Sequence, residues 1–260
     1  MYRTIASQYD FSVVVPAYNE ENDIEKTLED IRAYCERKNL CAEIIVVDDG
    51  STDGTLALAE TFSRRVPSCK VLRHSTNCGK GVSVRDGMMA ASGTYILFMD
   101  ADGATPISAF EVFLPWLQKG FDIVIGSRYL PTSSILISQS LHRVILGHIG
   151  NALIRLLLID GIVDTQCGFK AFTLEAAHSI ASRLTIRGWG FDMEMLSIGQ
   201  KMGFQIAEVP VEWKNAERKS RFRPIRDAHR TLMDLLTVKY NLMTNKYHEG
   251  LERNKERPSS

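Results

Sequence analysis

Asp100-Ala101-Asp102 sets two carboxylates one residue apart, directly after the apolar run Tyr95-Ile96-Leu97-Phe98-Met99. That run is aromatic and β-branched enough for a buried strand, and Gly103 and Pro106 end it. At a strand end the backbone turns, so the two side chains escape the strict alternation of the pleat. Such a pair suits a hard divalent cation, Mg²⁺ or Mn²⁺, which takes one or two carboxylates and fills its shell with water and phosphate. The ligand implied is a diphosphate. The competing reading is an aspartate that caps the next helix.

Short apolar runs and helical patterns alternate along the first half of the chain. Phe11–Val15, Ile44–Val47, Lys70–Leu72, Tyr95–Met99 and Ile123–Ile125 read as strands; Glu20–Lys38, Thr55–Arg65, Gly81–Ala91 and Ile107–Gln118 carry helical periodicity. This order predicts an α/β fold with a mostly parallel sheet covered on both faces, whose ligands bind at the carboxyl ends of the strands. Asn19-Glu20, Asp48-Asp49-Gly50-Ser51 and Asp100-Ala101-Asp102 all fall at such ends. Beyond Tyr129 the alternation gives way to a long apolar helix, further helices, a strand over Ile206–Trp213 and a basic stretch. The expected organisation is one domain over 1–245, with 11–128 as its nucleotide-binding half and 129–245 as its acceptor-side half. A disordered polar tail is expected over 246–260.

With 260 residues, 45% hydrophobic and 24% charged, the chain can bury a full core, and its 31 basic and 31 acidic residues argue against nucleic acid as a partner. Arg143 and Arg155 interrupt the greasiest region, Tyr129–Ile159, and Met1–Asp10 is too polar for a signal peptide, so a cytoplasmic protein is expected. Five cysteines without Cys-x-x-Cys spacing read as reduced thiols. Asp49-Gly50-Ser51-Thr52-Asp53-Gly54, with Glu60, comes near a calcium-binding EF-hand loop, but a β-branched strand precedes it where a helix is required. Asn77-Cys78-Gly79-Lys80-Gly81 lacks the glycine spacing of a P-loop. Pro16-Ala17-Tyr18-Asn19-Glu20 lacks the glycines of a dinucleotide fold.

Taken together, Val13-Val14-Val15-Pro16-Ala17-Tyr18-Asn19-Glu20, Val47 to Thr55, Gly79-Lys80-Gly81 and Asp100-Ala101-Asp102 resemble the family 2 inverting glycosyltransferases of GT-A fold. Gly126-Ser127-Arg128, Asp164 to Lys170, Trp189 to Glu194 and Glu208 to Trp213 extend the resemblance to the dolichyl-phosphate glucosyltransferase branch, with dolichyl-phosphate mannosyltransferases as near relatives. It spans Phe11 to Leu242. Gly103-Ala104-Thr105 after the acidic pair is similar to the glucosyl branch. Three departures stand out: Ala104 where some mannosyl relatives carry a metal-binding Gln, His148 before Asn151 where they carry an Arg, and no N-terminal membrane anchor of the kind typical of the eukaryotic glucosyl branch.

The resemblance implies a GT-A sheet sandwiched by helices, with a helical acceptor-side elaboration. It places Pro16, Tyr18, Glu20, Asp48 and Asp49 around the nucleotide, with Asp49 accepting a base N–H. Lys80 would meet the diphosphate, Ala101 would lie beside it, and Asp100 and Asp102 would hold Mg²⁺ or Mn²⁺ against the leaving group. Asp48 and Asp49 could instead cap the helix that begins near Asp53. Arg128 and Lys170 would grip an acceptor phosphate, with structural pairing to Asp164 as the alternative. A phosphate acceptor is already anionic and needs no general base, whereas a sugar hydroxyl would need one, and Asp192 is the candidate. Asp192 and Glu194, two apart, cannot act as a pair on a helix. Asp192 as a helix cap is the competing role.

The partners implied are a nucleotide sugar and a lipid-phosphate acceptor. Lys214–Arg230 carries seven basic residues against Glu217 and Asp227, beside the amphipathic region Arg143–Ile159. Together they suit peripheral docking on the cytoplasmic face of a membrane, and the apolar helix equally suits a homo-oligomer contact. The activity expected is transfer of a hexose, glucose from UDP-glucose, to a polyprenyl phosphate with inversion. Alternatives are transfer to a saccharide hydroxyl, transfer of mannose from GDP-mannose to the lipid phosphate, and a nucleotide-sugar-binding scaffold without turnover.

Overall fold

The computed structural model describes residues 7–135, 150–214 and 224–248. β1 (Phe11–Ala17), α1 (Ile24–Lys38), β2 (Ala42–Asp48), α2 (Thr55–Arg65), β3 (Cys69–Arg73), α3 (Lys80–Ala90) and β4 (Tyr95–Met99) follow the alternation expected. A 3₁₀ turn at Ile107–Ala109 leads into α4 (Phe110–Gln118), then β5 (Ile123–Ser127) and β6 (Ser134–Ile135). Residues 150–157 are helical (α5). β7 (Phe169–Thr173), α6 (Leu174–Ala181), α7 (Phe191–Lys201), β8 (Ile206–Pro210), β9 (Glu212–Trp213) and α8 (Pro224–Met243) complete the described elements.

The main sheet has seven strands in the order β3-β2-β1-β4-β7-β5-β8. All its pairings are parallel except those of β7, which runs antiparallel to β4 and β5. Alternation along the central strands builds two cores. Val13, Val15, Ile44 and Val46 face α1, α2 and α4 through Leu28, Phe62 and Phe113. Val14, Ile45 and Val47 face α3, α6, α7 and α8 through Val84, Ala177, Phe191 and Leu235. Each fully buried Phe or Leu contributes about 1.5–3 kcal/mol.

Several expectations shift. β7 was not foreseen, because Lys170 breaks the apolar reading of Phe169-Lys170-Ala171-Phe172-Thr173. The strand expected over Ile206–Trp213 is two: Pro210 ends the pairing with β5, and Glu212–Trp213 turns away to pair with Ser134–Ile135. α1 starts at Ile24 because Asn19 takes a left-handed conformation (φ 55°) and Glu20 begins a turn. The chain beyond Asn245 is not all tail: Lys246–His248 forms a 3₁₀ turn and Tyr247 is buried. Burial pushes the Cys35 thiol up to about 11 and those of Cys69 and Cys167 to about 12, so these three are packing groups. Among the described residues no helix is long and apolar enough to cross a membrane. Much of Arg143–Ile159 and Lys214–Arg230, His148 included, lies outside the described residues, as does 249–260.

Candidate active site

The chain leaves β1 towards β2 on one side and returns to β4 on the other, so the sheet order reverses between β1 and β4. Their carboxyl ends form the crevice in which an open α/β sheet binds ligands. β1 pairs with β2 as far as Ala17 but with β4 only as far as Val14. The strands therefore part beyond Val14, and Pro16, buried in β1 and opposite Val47, has no partner on β4 to miss its absent N–H. Tyr18 and Glu20 emerge half-buried just past it.

Asp100 follows β4 and is the centre of the crevice. Lys80 Nζ, from the first residue of α3, lies 2.5 Å from Asp100 Oδ1, and the exposed Trp189 ring covers the same ammonium at 4.7 Å. Burial pulls the Lys80 pKa down, but Asp100, Asp192 and Asp102 outweigh it and raise it above the usual lysine value. Opposite, Gly168 leads into β7, and a Cβ built on it would lie 2.0 Å from Asp100 Oδ2. Only glycine leaves the carboxylate where it is.

Asp102 sits in the turn beyond, accepting the Ala104 N–H at 3.0 Å, while Thr27 of α1 donates to the carbonyl of buried Ala101 at 2.8 Å. Burial, and then the charge of Asp100, push the Asp102 carboxyl up to about 6. Two carboxylates that share one lysine carry a surplus of negative charge on hard oxygen donors. That donor set fits Mg²⁺ or Mn²⁺.

The loop after β2 is tied into the same edge. Asn19 N–H donates to Ser51 Oγ at 3.0 Å, Thr52 N–H donates to Asn19 Oδ1 at 2.7 Å, and Glu20 N–H donates to Thr55 Oγ1 at 2.7 Å. Asp48, fully buried, accepts from Ser51 N–H at 3.2 Å, and its Oδ1 has no partner among the described residues. Asp49 accepts the N–H groups of Cys78 (2.8 Å) and Gly79 (2.9 Å), and its Oδ1 lies 2.8 Å from His74 Nδ1. It thereby fixes the entry to α3 and the root of Lys80. Neither aspartate caps α2; Asp53 accepts the Thr55 N–H at 3.0 Å. Asp49, His74 and Cys78 also bring three ligand-type atoms within 4.8 Å, but the Asp49 and His74 atoms already bond to each other and to the loop.

On the far side, Arg128 follows β5 and makes a two-pronged contact with buried Asp164, Nε to Oδ2 at 2.8 Å and Nη2 to Oδ1 at 2.9 Å. The pairing named as its alternative role is therefore present. Tyr129 and Trp213 lie about its guanidinium at 5.5 Å each. Glu208 of β8 holds the Asp164 loop through the Val163 and Asp164 N–H groups at 2.8 and 2.7 Å. Asn151 of α5 accepts from Thr165 Oγ1 at 2.7 Å, joining that helix to the same loop.

Lys170 does not face open acceptor space. Alternation along β7 sends it, with Phe172, to the α7 side, where it is fully buried and donates to Asp192 and to the Cys167 carbonyl. Its partner is Asp192, not Asp164. Asp192 lies in the first turn of α7 and is no cap, Gly190 holding that position. Burial raises its carboxyl pKa against the pull of Lys170 and Lys80. Glu194 faces elsewhere, accepting from Thr185 N–H (2.9 Å), Ile186 N–H (2.8 Å) and the Tyr247 hydroxyl (2.8 Å). The loop it holds carries Trp189 over Lys80. Gly168 and Glu194 are positioning residues to which the sequence assigned no role, and with β7 unforeseen nothing marked Gly168 as a strand-edge glycine.

A shallow groove of about 890 Å³ lies at the opposite, amino-terminal edge of the sheet, between Asp10, Glu29, Arg65 and Ser68, and holds none of these groups.

The family model "Glycosyl transferase family 2" matches residues 12–180. The chain belongs to this family. Among relatives, a dolichyl-phosphate beta-glucosyltransferase of Dictyostelium discoideum is 35% identical over 244 residues, covering 89% of this chain and 74% of that protein. The Homo sapiens dolichyl-phosphate beta-glucosyltransferase is 35% identical over 250 residues, covering 90% and 76%. Among solved structures, Mycobacterium tuberculosis glucosyl-3-phosphoglycerate synthase, in complex with Mn²⁺, UDP and glucosyl-3-phosphoglycerate, aligns with a TM-score of 0.62 at 22% identity, over 89% of this chain and 80% of that one. The family 2 chain thus has the expected GT-A fold, with one antiparallel strand set into its sheet.

Proposed function

We propose that the chain moves glucose from UDP-glucose to a polyprenyl phosphate with inversion, residues 11–128 holding the donor and 129–245 the acceptor. The observation that carries this reading is the Asp100–Lys80 pair at the β1/β4 crevice, flanked by Asp102 and backed by Gly168. The identity to dolichyl-phosphate beta-glucosyltransferases over most of the chain supports the sugar and the acceptor class.

Pro16, Tyr18, Glu20, Asp48 and Asp49 would line the base and ribose. Lys80, at the positive end of the α3 dipole, would receive the diphosphate beside Ala101. Asp100 and Asp102 would hold Mg²⁺ or Mn²⁺, which supplies charge neutralisation of the departing UDP. An oxygen of the acceptor phosphate attacks the anomeric carbon from the face opposite the diphosphate, forming one C–O bond as the other breaks. That oxygen is anionic already, so no proton has to move. Arg128 would meet the acceptor phosphate, which would compete with Asp164 for its guanidinium. Lys170 acts through Asp192, which the ammonium occupies; this bears against a hydroxyl acceptor that would need Asp192 as a free base. In this reading the protein works against the cytoplasmic face of a membrane.

Radiolabelled UDP- and GDP-sugars incubated with polyprenyl phosphate, then extracted into organic solvent, test the proposal. Label from UDP-glucose should enter the organic phase in a metal-dependent way. Label that stays aqueous, or enters only from GDP-mannose, would overturn it.

A further inference from the structure

α8 is apolar on two opposite faces. Leu235, Val238 and Leu242 pack into the core beside α7. Leu232, Met233, Leu236, Tyr240 and Met243 point outward, 49 to 74% exposed. At about 100° per residue these five fall within an arc of roughly 100°. Scattered exposed apolar residues need no explanation, but a continuous stripe on one helix face does.

Its surroundings identify the occupant. From His229 to Lys246 the exposed residues include Arg230, Lys239 and Lys246 and no carboxylate, in a chain of zero formal net charge. Lys239 Nζ donates to the Leu157 carbonyl at 2.8 Å, which sets α5 beside α8 and adds the exposed Leu153, Leu156 and Leu157. The same helix also contacts the active-site wall, about 100° round from Met233. Asp234 of α8 packs against Gly190, where a Cβ would meet its Oδ2 at 2.5 Å, and the neighbouring Trp189 covers Lys80.

We infer that the outer face of α8, with α5, docks on an anionic lipid bilayer and brings the Trp189 mouth to the membrane surface. An apolar stripe that includes a Tyr and is rimmed by cations is the composition of a helix lying in a lipid interface. The inference deepens the lipid-acceptor reading by naming the surface that reaches the lipid.

The test uses vesicles with neither donor nor acceptor, so it stands apart from the proposed reaction. The full chain is co-sedimented with phosphatidylcholine vesicles with and without phosphatidylserine, at low and high salt, against Leu236→Gln/Tyr240→Gln/Met243→Gln. Because all three side chains are exposed, the variant should keep the wild-type Tm and UDP affinity. Wild type should bind the anionic vesicles in a salt-sensitive way, and the variant should bind roughly a hundredfold more weakly. Equal binding by both proteins, no binding by either, or a wild-type dimer in light scattering that the variant dissolves would overturn the inference. The last outcome would assign the face to a second copy of the chain.

Discussion

Gly168→Ala probes the site through its most confined position. The added carbon would stand 2.0 Å from Asp100 Oδ2 and 2.6 Å from its Cγ. Ordinary contact lies near 3.5 Å, so the carboxylate must retreat by roughly 1–1.5 Å. The obstructing atoms are the end of a side chain, so the backbone can stay. What is lost is the Lys80 contact, and since Lys80 and Asp100 are 18 and 32% exposed, solvent screening holds the stability cost to about 1 kcal/mol. That corresponds to a Tm fall of about 2–4 °C in a chain of this size. An ångström of misplacement at a reacting centre costs on the order of 100-fold in rate, or about 2.7 kcal/mol of barrier. Transfer from UDP-glucose to extractable lipid should thus fall far more than stability does. Gly188→Ala, where nothing lies within 4 Å of the new carbon, is the control and should behave as wild type. A Gly168→Ala enzyme with full turnover, or one that does not fold, would refute the reasoning.

Asp102→Asn should lower turnover by orders of magnitude at unchanged Tm, and a chelator should mimic it in the wild type; full activity in EDTA would remove the cation from the proposal. Lys170→Met leaves Asp192 buried without its cation and should cost about 3–5 kcal/mol in urea unfolding, most of it recovered in Lys170→Met/Asp192→Asn. Arg128→Lys, which cannot reproduce a two-pronged grip, should raise KM for polyprenyl phosphate more than KM for the nucleotide sugar, and the opposite ratio would move Arg128 to the donor side. Burial alone would raise the Asp164 pKa, but hydrogen bonds from Arg128 and its charge hold it below the usual carboxylate value. Its stabilisation is therefore complete above about pH 4 and lost as pH falls through the lowered pKa, so Asp164→Asn should flatten the Tm decline below about pH 4.

The strand ends that carry Glu20, Asp48, Asp49 and Asp100 were legible in the sequence, because each follows a short β-branched run whose burial leaves no other reading. Thr55–Arg65 and Tyr95–Met99 are helix and strand to the residue. Periodicity is a local property, and these elements obey it. β7 does not, because the charge that lets its Lys170 be buried is twenty-two positions away on α7. No window on the sequence contains both. For the same reason Gly168 reads as a plain turn residue until β7 pairs with β4 and sets it against Asp100, and the sequence leaves Arg128 between a phosphate and Asp164 until the fold brings Asp164 beneath it. α8 shows the limit most clearly: its sequence is apolar around much of its circumference, and only the packing against α7 decides which face enters the core and which stays exposed. Local sequence determined where the backbone ends its strands and what chemistry hangs there. Long-range pairing, which the free energy of burying charges and apolar faces enforces, decided which of those groups meet.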